Sequence, residues 1–414
     1  MKTKICITTL EFPPDVGGVG ESVHRIAKML LDLGYEVHVA VFHSKQRKNN
    51  SDRRRSSCIT YNHNGIIVHR LEPAIRSSEP IVQDFLSEIY SQLKALHQQY
   101  AFNLFHGFFI NETGFVTTLL AKENNIPVIN SIRGSDLHKH IFNAKQHSQM
   151  TWILENSSWL TFVSRDLEHR AKILAPSITA KSSAFWNSIA AIDFDNLPTP
   201  ALVERLQGTV IGSVGRFRDK KGLEYLLDAC AQLRAKHDLT LLLVGDFADR
   251  ERAYWEQEIQ RHSEIACQIV ITGMVERTQA LAYLAYMDIF AIPSLHDGCP
   301  NAMLEAMLAG KAIVGTKVDA IAEILANGVD ALLVNPSSSL ELAAALEQLI
   351  LQPQLRQQLG KAAKNKAHQQ LATSVEQKNW SDVYQKVLGS QTVRQDLSTL
   401  QQFNGHQIAL EVKL

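Results

Sequence analysis

The chain lacks most features that would commit it to a metal, a membrane or a nucleic acid. Its five cysteines (Cys6, Cys58, Cys230, Cys267, Cys299) are scattered, with no C-x-x-C and no His/Cys set at metal spacing. Neither a disulfide framework nor a structural zinc site is expected, and an odd, dispersed set of thiols fits a reducing cytoplasm. Lys+Arg and Asp+Glu both number 42 in 414 residues, so the formal net charge of zero gives no bulk electrostatic reason to expect nucleic acid. No apolar run approaches the length of a bilayer span, and that in MKTKICITTLEFPPD is too short for a signal peptide. The glycines 17, 18 and 20 lack the G-x-G-x-x-G spacing, which excludes a dehydrogenase fingerprint.

Charge of one sign gathers in one place, HSKQRKNNSDRRRSS, residues 43–57. It reads as a solvated loop, or as a contact for anionic lipid or an anionic acceptor at the inner membrane face.

What is present is a rhythm. The runs KICITTL, EVHVAVF, IIVHRL, LFHGFF, PVINSI and WLTFVS alternate with helical patterns such as GESVHRIAKMLLDLG and VQDFLSEIYSQLKALHQQY. A second series follows: TVIGSVG, LTLLLVG, QIVITG, IFAIPS, AIVGT and ALLV. Apolar strands alternating with amphipathic helices predict an α/β fold with parallel sheets covered on both faces. The strands are too many for one comfortable sheet, and the pattern breaks at DFDNLPTPALVERLQG, residues 193–208. Two doubly wound, Rossmann-like domains with a ligand cleft between them are expected, 1–195 and 196–375, with a helix at about 376–390 and a tail at 391–414.

Chemistry concentrates where strands end. In IFAIPSLHDGCPNAMLEAMLAGK, Asp297 precedes a turn, Pro300 suits the first helical position and Gly310 the helix stop. Cys299 is a poor cap and Asn301 the only good one nearby, so backbone N–H groups stay available to an anion. Glu305 lies one turn further in, where a carboxylate can accept two hydrogen bonds from a vicinal diol such as a ribose. Taken singly, Asp297 reads as a turn residue and Glu305 as a complement to the helix dipole. In GSVGRFRDKKGLEYLLDA, Arg216 follows Gly215 and Lys221 precedes a helix, cations suited to a leaving diphosphate. Arg218 and Lys220 fit a solvated basic turn better. Gly245 and Gly273 end two more strands and permit close ligand approach, while Met274 and Val275 could lie against a flat base.

These pieces, with PPDVGGVG near the start, resemble the retaining glycosyltransferases of family 4, the glycosyltransferase group 1 enzymes of GT-B fold, up to about Tyr384. The resemblance implies a nucleotide-sugar donor on the second domain, an acceptor on the first and no obligatory metal or other cofactor. Position by position, it implies that Glu305 holds the ribose and that Asp297, with the backbone of Gly298, Cys299, Pro300 and Asn301, holds sugar hydroxyls. The N–H groups of Ala302, Met303 and Leu304 would meet a phosphate. Arg216 and Lys221 would stabilise the leaving diphosphate, Gly18 would approach it from the first domain, and WSDVYQKV would be the last helix, crossing back to that domain.

Departures are specific. Asp297 stands where the family usually has glutamate, and Arg133, ahead of Gly134 and Asp136, where it usually has a histidine that contacts the sugar. Arg133 could hold a sugar hydroxyl or phosphate, favour an acidic sugar, or pair with Asp136. His106 could line the acceptor side or be structural. Ser188 replaces a glycine in SAFWNSIAAIDFD, and Asp193 with Asp195 spells a D-x-D that, at a linker, is not expected to bind metal. The expected activity is retaining sugar transfer from a nucleotide diphosphate sugar, UDP favoured over GDP, to a saccharide, lipid-linked or small-molecule hydroxyl. A nucleotide-sugar epimerase or phosphorylase on the same plan, and a non-catalytic sugar or nucleotide binder, are the alternatives.

Overall fold

The computed structural model describes residues 2–15, 17–42, 55–74, 82–138, 140–262 and 268–389. Most of the basic stretch 43–57, the thiol of Cys267 and the tail 391–414 lie outside the described residues. The chain divides into two compact units, one of 1–162, 168–185 and 377 onward, the other of 163–167 and 186–376.

The first unit is built on strands β1 (Lys4–Thr9), β2 (Glu36–Phe42), β3 (Ser57–His63), β4 (Ile66–Glu72), β5 (Leu104–Phe108), β6 (Val128–Ile132), β7 (Trp159–Phe162) and β8 (Ser182–Ala184). They form one sheet in the order β3-β4-β2-β1-β5-β6-β7-β8, parallel except for β3 against β4. The antiparallel pair turns at Asn64-Gly65, both at positive φ, the dipeptide that favours a tight hairpin. The helix over 373–389 contributes Trp380, Val383, Tyr384 and Val387 to the core formed with Ile5, Ile7, Val37 and Val39.

The second unit carries β9 (Thr209–Val214), β10 (Leu239–Val244), β11 (Ile269–Ile271), β12 (Ile289–Ile292), β13 (Ala312–Thr316) and β14 (Leu332–Val334). All neighbours are parallel, in the order β11-β10-β9-β12-β13-β14. Along β10 every residue is buried, with Leu241 and Leu243 packing into one core and Leu242 and Val244 into the other. That is why the strand reads as a continuous apolar run: helices cover both faces.

The strand order reverses between β9 and β12. Their pairing covers only Ile289↔Ile211 and Phe290↔Gly212, although β9 runs on to Val214 and β12 to Ile292. The two carboxyl ends therefore part without a hydrogen-bonded partner in each other, which opens the crevice where ligands of doubly wound sheets bind.

The division differs from the one expected at 195/196. Residues 186–192 are tied into the second unit: Ile189 N–H donates to Leu371 O (2.9 Å), and Ser188 N–H to Glu376 Oε2 (2.8 Å). Ile192, Phe194 and Leu197 pack on that unit's core, so the proline-bearing stretch lies inside it and joins nothing. Asp193 and Asp195 make a surface turn, Asp195 N–H donating to Asp193 Oδ1 at 3.1 Å.

Candidate active site

The loops that leave β9 and β12 pack on each other. Gly222, at φ +60, begins the helix Leu223–Arg234 where an added Cβ would stand 2.2 Å from Pro293 O. Leu295 N–H donates to Lys220 O (2.8 Å), and Thr316 Oγ1, at the end of β13, donates to Ser294 O (2.5 Å). Backbone and hydroxyl contacts thus set Lys221 and Asp297 face to face, Nζ to Oδ2 at 2.5 Å.

Asp297 is buried, which pushes its pKa up, but Lys221, Lys220 and Arg218 together outweigh burial and hold the carboxyl below its ordinary value. Burial lowers the pKa of Lys220, and Asp297 opposes that shift. Lys220 and Arg218, assigned above to a solvated turn, therefore belong to the field at this carboxylate. Arg216 is exposed, and its charge bears on Asp246, which accepts from Arg252 Nη2 at 2.6 Å.

The N–H of Asp297 donates to Asp319 Oδ2 at 2.8 Å. Asp319 is buried and sits at φ +41, in the left-handed region that only glycine adopts freely. Sequence reasoning passed over this residue because nothing in VDAIAE marks it.

The helix that follows runs over Asn301–Leu308, so Pro300 precedes its first residue by one, at φ −75 and ψ 113. No side chain caps it. The amides of Met303 and Leu304 already donate to Pro300 O (3.0 and 3.4 Å), which moves any anion-facing set back toward Asn301 and Ala302. Asn187 Nδ2 donates to Cys299 O (3.3 Å) and Asn301 Oδ1 (3.1 Å), bracing the Gly298–Asn301 backbone. Met303 and Leu304 point into the core, and Gly310 ends the segment at φ +68. Glu305 is buried on the same helix, and Arg277, from the helix Arg277–Ala285, places Nε and Nη2 at 3.0 and 2.9 Å from its Oε1. Arg277 was not foreseen.

The strand-end glycines have a backbone reason. Gly245, at φ +131, is where an added Cβ would meet Gly215 O at 2.0 Å, so two backbone segments approach there. Beyond β11, Gly273 at φ +68 faces open space, with Met274 exposed and Val275 packed on the core.

In the first unit three expectations change. His106 has no exposed surface: Nδ1 meets Tyr384 OH (2.6 Å) and Nε2 meets Ser131 Oγ (2.7 Å). Burial, with a smaller contribution from Arg133, pushes its pKa down to about 3. It is a neutral structural histidine and lines no acceptor surface. Asp136 is also buried, accepting from the amides of Gly134 (2.8 Å), Arg133 (3.1 Å) and Ile110 (3.3 Å). Burial raises its pKa against those bonds. Arg133 meets Asp136 through its backbone, and its guanidinium lies 5.4 Å from the Phe108 ring centroid. Gly18 is the exposed first residue of the helix Gly18–Asp32, which has no side-chain cap.

Two family models match, one to each sheet: "Glycosyltransferase Family 4" over residues 16–176 and "Glycosyl transferases group 1" over 208–352. The chain belongs to the group 1 glycosyltransferase family. It is 29% identical over 223 residues to the 2-deoxystreptamine glucosyltransferase of Streptomyces kanamyceticus, covering 50% of this chain and 56% of that one. It is 26% identical over 206 residues to a lipopolysaccharide core biosynthesis glycosyltransferase of Rhizobium meliloti, covering 49% and 54%. The matches to these relatives therefore span only about half the length of each. The fold is GT-B: sucrose-phosphate synthase from Thermosynechococcus elongatus superposes with a TM-score of 0.77 at 17% identity, over 94% of this chain and all of that one. Anabaena HepE, solved with UDP-glucose, gives 0.71 at 18% identity, over 94% and 99%.

Proposed function

We propose that the protein transfers a sugar, with retention at the anomeric carbon, from a nucleotide diphosphate sugar to an acceptor hydroxyl. The observation that carries this reading is the Lys221–Asp297 pair at the diverging ends of β9 and β12, with Asp297 on the loop that feeds the uncapped helix bearing Glu305. The anomeric carbon is bonded directly to the leaving phosphate. A cation for that phosphate and a carboxylate for a sugar hydroxyl are therefore needed side by side, as Lys221 and Asp297 stand.

In this reading Glu305 accepts the ribose hydroxyls, Met274 and Val275 face the base, and the amides of Asn301 and Ala302 meet the diphosphate. Gly298 to Asn301 frame the sugar. The bond from the anomeric carbon to the leaving phosphate oxygen breaks, and the bond to the acceptor oxygen forms on the same face. The acceptor proton passes to the departing phosphate, and Lys221 with the helix dipole stabilises the growing negative charge. The charge on the diphosphate is thus met by protein groups, and the reaction proceeds without a metal. UDP is favoured over GDP as carrier, and surface polysaccharide or glycolipid synthesis is the setting. A relative named for lipopolysaccharide core synthesis and a structural neighbour solved with UDP-glucose support both.

A panel of nucleotide sugars scored by thermal stabilisation, followed by nucleotide release with and without added acceptors, tests the proposal. Stabilisation by one donor and acceptor-dependent release support it. Conversion of the donor to an isomer without acceptor indicates an epimerase, and binding with no turnover under any acceptor indicates a binding protein.

A further inference from the structure

The carboxylate expected at the ribose does not stand alone. Arg277 begins the helix that follows the Gly273-Met274-Val275 turn, and its guanidinium converges two nitrogens on one oxygen, Glu305 Oε1, at 3.0 and 2.9 Å. Glu305 is buried with its side chain 11% exposed, whereas the Arg277 side chain is 48% exposed. The arginine thus reaches inward from the rim, from the turn assigned to the base to the carboxylate assigned to the ribose.

We infer that Arg277 is the residue that sets ribose recognition, by fixing the Glu305 carboxylate for the vicinal diol of a ribonucleoside diphosphate. The inference rests on the reading of Glu305 as the ribose residue. A carboxylate on a two-carbon stem rotates freely about its last bond, and a diol is received well in only one orientation of its plane. A planar guanidinium that holds one oxygen through two N–H groups fixes that plane, which a lysine's point charge cannot do. Its positive charge also tempers the repulsion between Glu305 and an incoming diphosphate. Arg277 is accordingly a positioning residue, and its removal changes how well ribose is told from deoxyribose more than it changes the fold.

The test is calorimetric binding of UDP, GDP and ADP to the full chain, and of UDP, 2′-deoxy-UDP and 3′-deoxy-UDP to it and to the variants Arg277→Gln, Arg277→Lys and Glu305→Gln. The wild type should prefer UDP over each deoxy analogue by about tenfold or more, the scale of a hydrogen bond to a charged group. Arg277→Gln should reduce that preference several-fold and, through the lost charge, weaken all three ligands to a smaller extent. Arg277→Lys should restore affinity for the diphosphate without restoring the preference. If Glu305→Gln abolishes the preference and Arg277→Gln leaves it intact, Arg277 is a surface ion pair and the inference fails while the ribose reading stands. If Glu305→Gln leaves the preference intact, the ribose reading itself is wrong, and this inference with it. Absence of binding by UDP, GDP and ADP alike overturns both.

Discussion

Lys221 and Asp297 face each other at 2.5 Å, and the cation helps to hold the carboxyl ionised. Lys221→Ala leaves a buried carboxylate with only Lys220 and Arg218 nearby and should cost about 2 kcal/mol of stability, less than a fully buried pair because those cations remain. Its larger effect should be on turnover, a fall of roughly 10²–10³ in kcat with little change in KM, the size seen when one donor to developing charge is removed. Weaker donor binding at unchanged kcat would sink the role. Asp319 separates backbone from side-chain function. Asp319→Gly relieves the left-handed φ and should leave stability within about 1 kcal/mol, yet lose about tenfold in kcat as the Asp297 amide loses its acceptor. Asp319→Asn tolerates the same φ, keeps an acceptor oxygen, and should turn over nearly as the wild type does. Full activity in the glycine variant would show that only the turn matters. Of these residues, Lys221, Asp297 and Glu305 were legible because acids and cations at strand ends are uncommon together. Asp319, Asn187 and Arg277 were not, because each acts through a contact across 22 or more positions that no local pattern encodes.

The elements were legible where burial is two-sided or periodicity long. All parallel strands of the two sheets except β8 coincide with apolar runs, and VQDFLSEIYSQLKALHQQY forms the helix Val82–Tyr100. Strand β3 was missed because it is an exposed edge, polar at most positions and adjoining the basic run, although Asn-Gly after it is a hairpin signal. β8 is three residues, Ser-Ser-Ala, with no pattern to read. The helix 373–389 shows what a recognised element leaves unsaid: its Tyr384 ends a buried chain of hydrogen bonds through His106, Ser131 and Thr161, across β5, β6 and β7. Tyr384→Phe should cost about 1–2 kcal/mol in chemical denaturation. The buried histidines give a pH dependence: His106 belongs to this chain of hydrogen bonds, whereas His69 of β4 bonds His38 and Thr60. His106 is held near 3 and His69 near 4, each chiefly by burial, against an unfolded value of about 6.5. The unfolded state binds more protons below pH 6.5, so the stability from keeping both neutral is complete above that pH and is lost as pH falls toward 3–4. Unfolding free energy should drop most steeply near about pH 5, by up to roughly 2.7 kcal/mol per pH unit, where the unfolded state holds both protons and the folded state neither. A flat profile between pH 6 and 4 would refute the assignment of both as neutral.

For the whole molecule, chain order and unit membership part company, which is why a boundary read from composition fell in the wrong place. Val163–Leu167 belongs to the second unit because Glu323 accepts the amides of Arg165 (3.0 Å) and Asp166 (2.8 Å), while residues from Gln377 onward return to the first. Prolines marked 193–208 as a linker, but hydrogen bonds and packing decide which sheet a segment serves, and those are not local in sequence. The consequence is asymmetric. A chain ending at Glu376 strips Trp380, Val383, Tyr384 and Val387 from the first unit's core, four side chains worth roughly 1.5–3 kcal/mol each when buried. The sum is comparable with the whole stability of a domain, about 5–15 kcal/mol, so the first unit should unfold. The second unit keeps both of its cores, and with them Lys221, Arg277, Asp297 and Glu305. Calorimetry of the truncated chain should show one transition of two lost and the survivor still raised by the nucleotide that stabilises the full chain. Loss of both transitions would mean that the second unit depends on the first for its fold, and survival of both would mean that the last helix contributes little to the first unit's core.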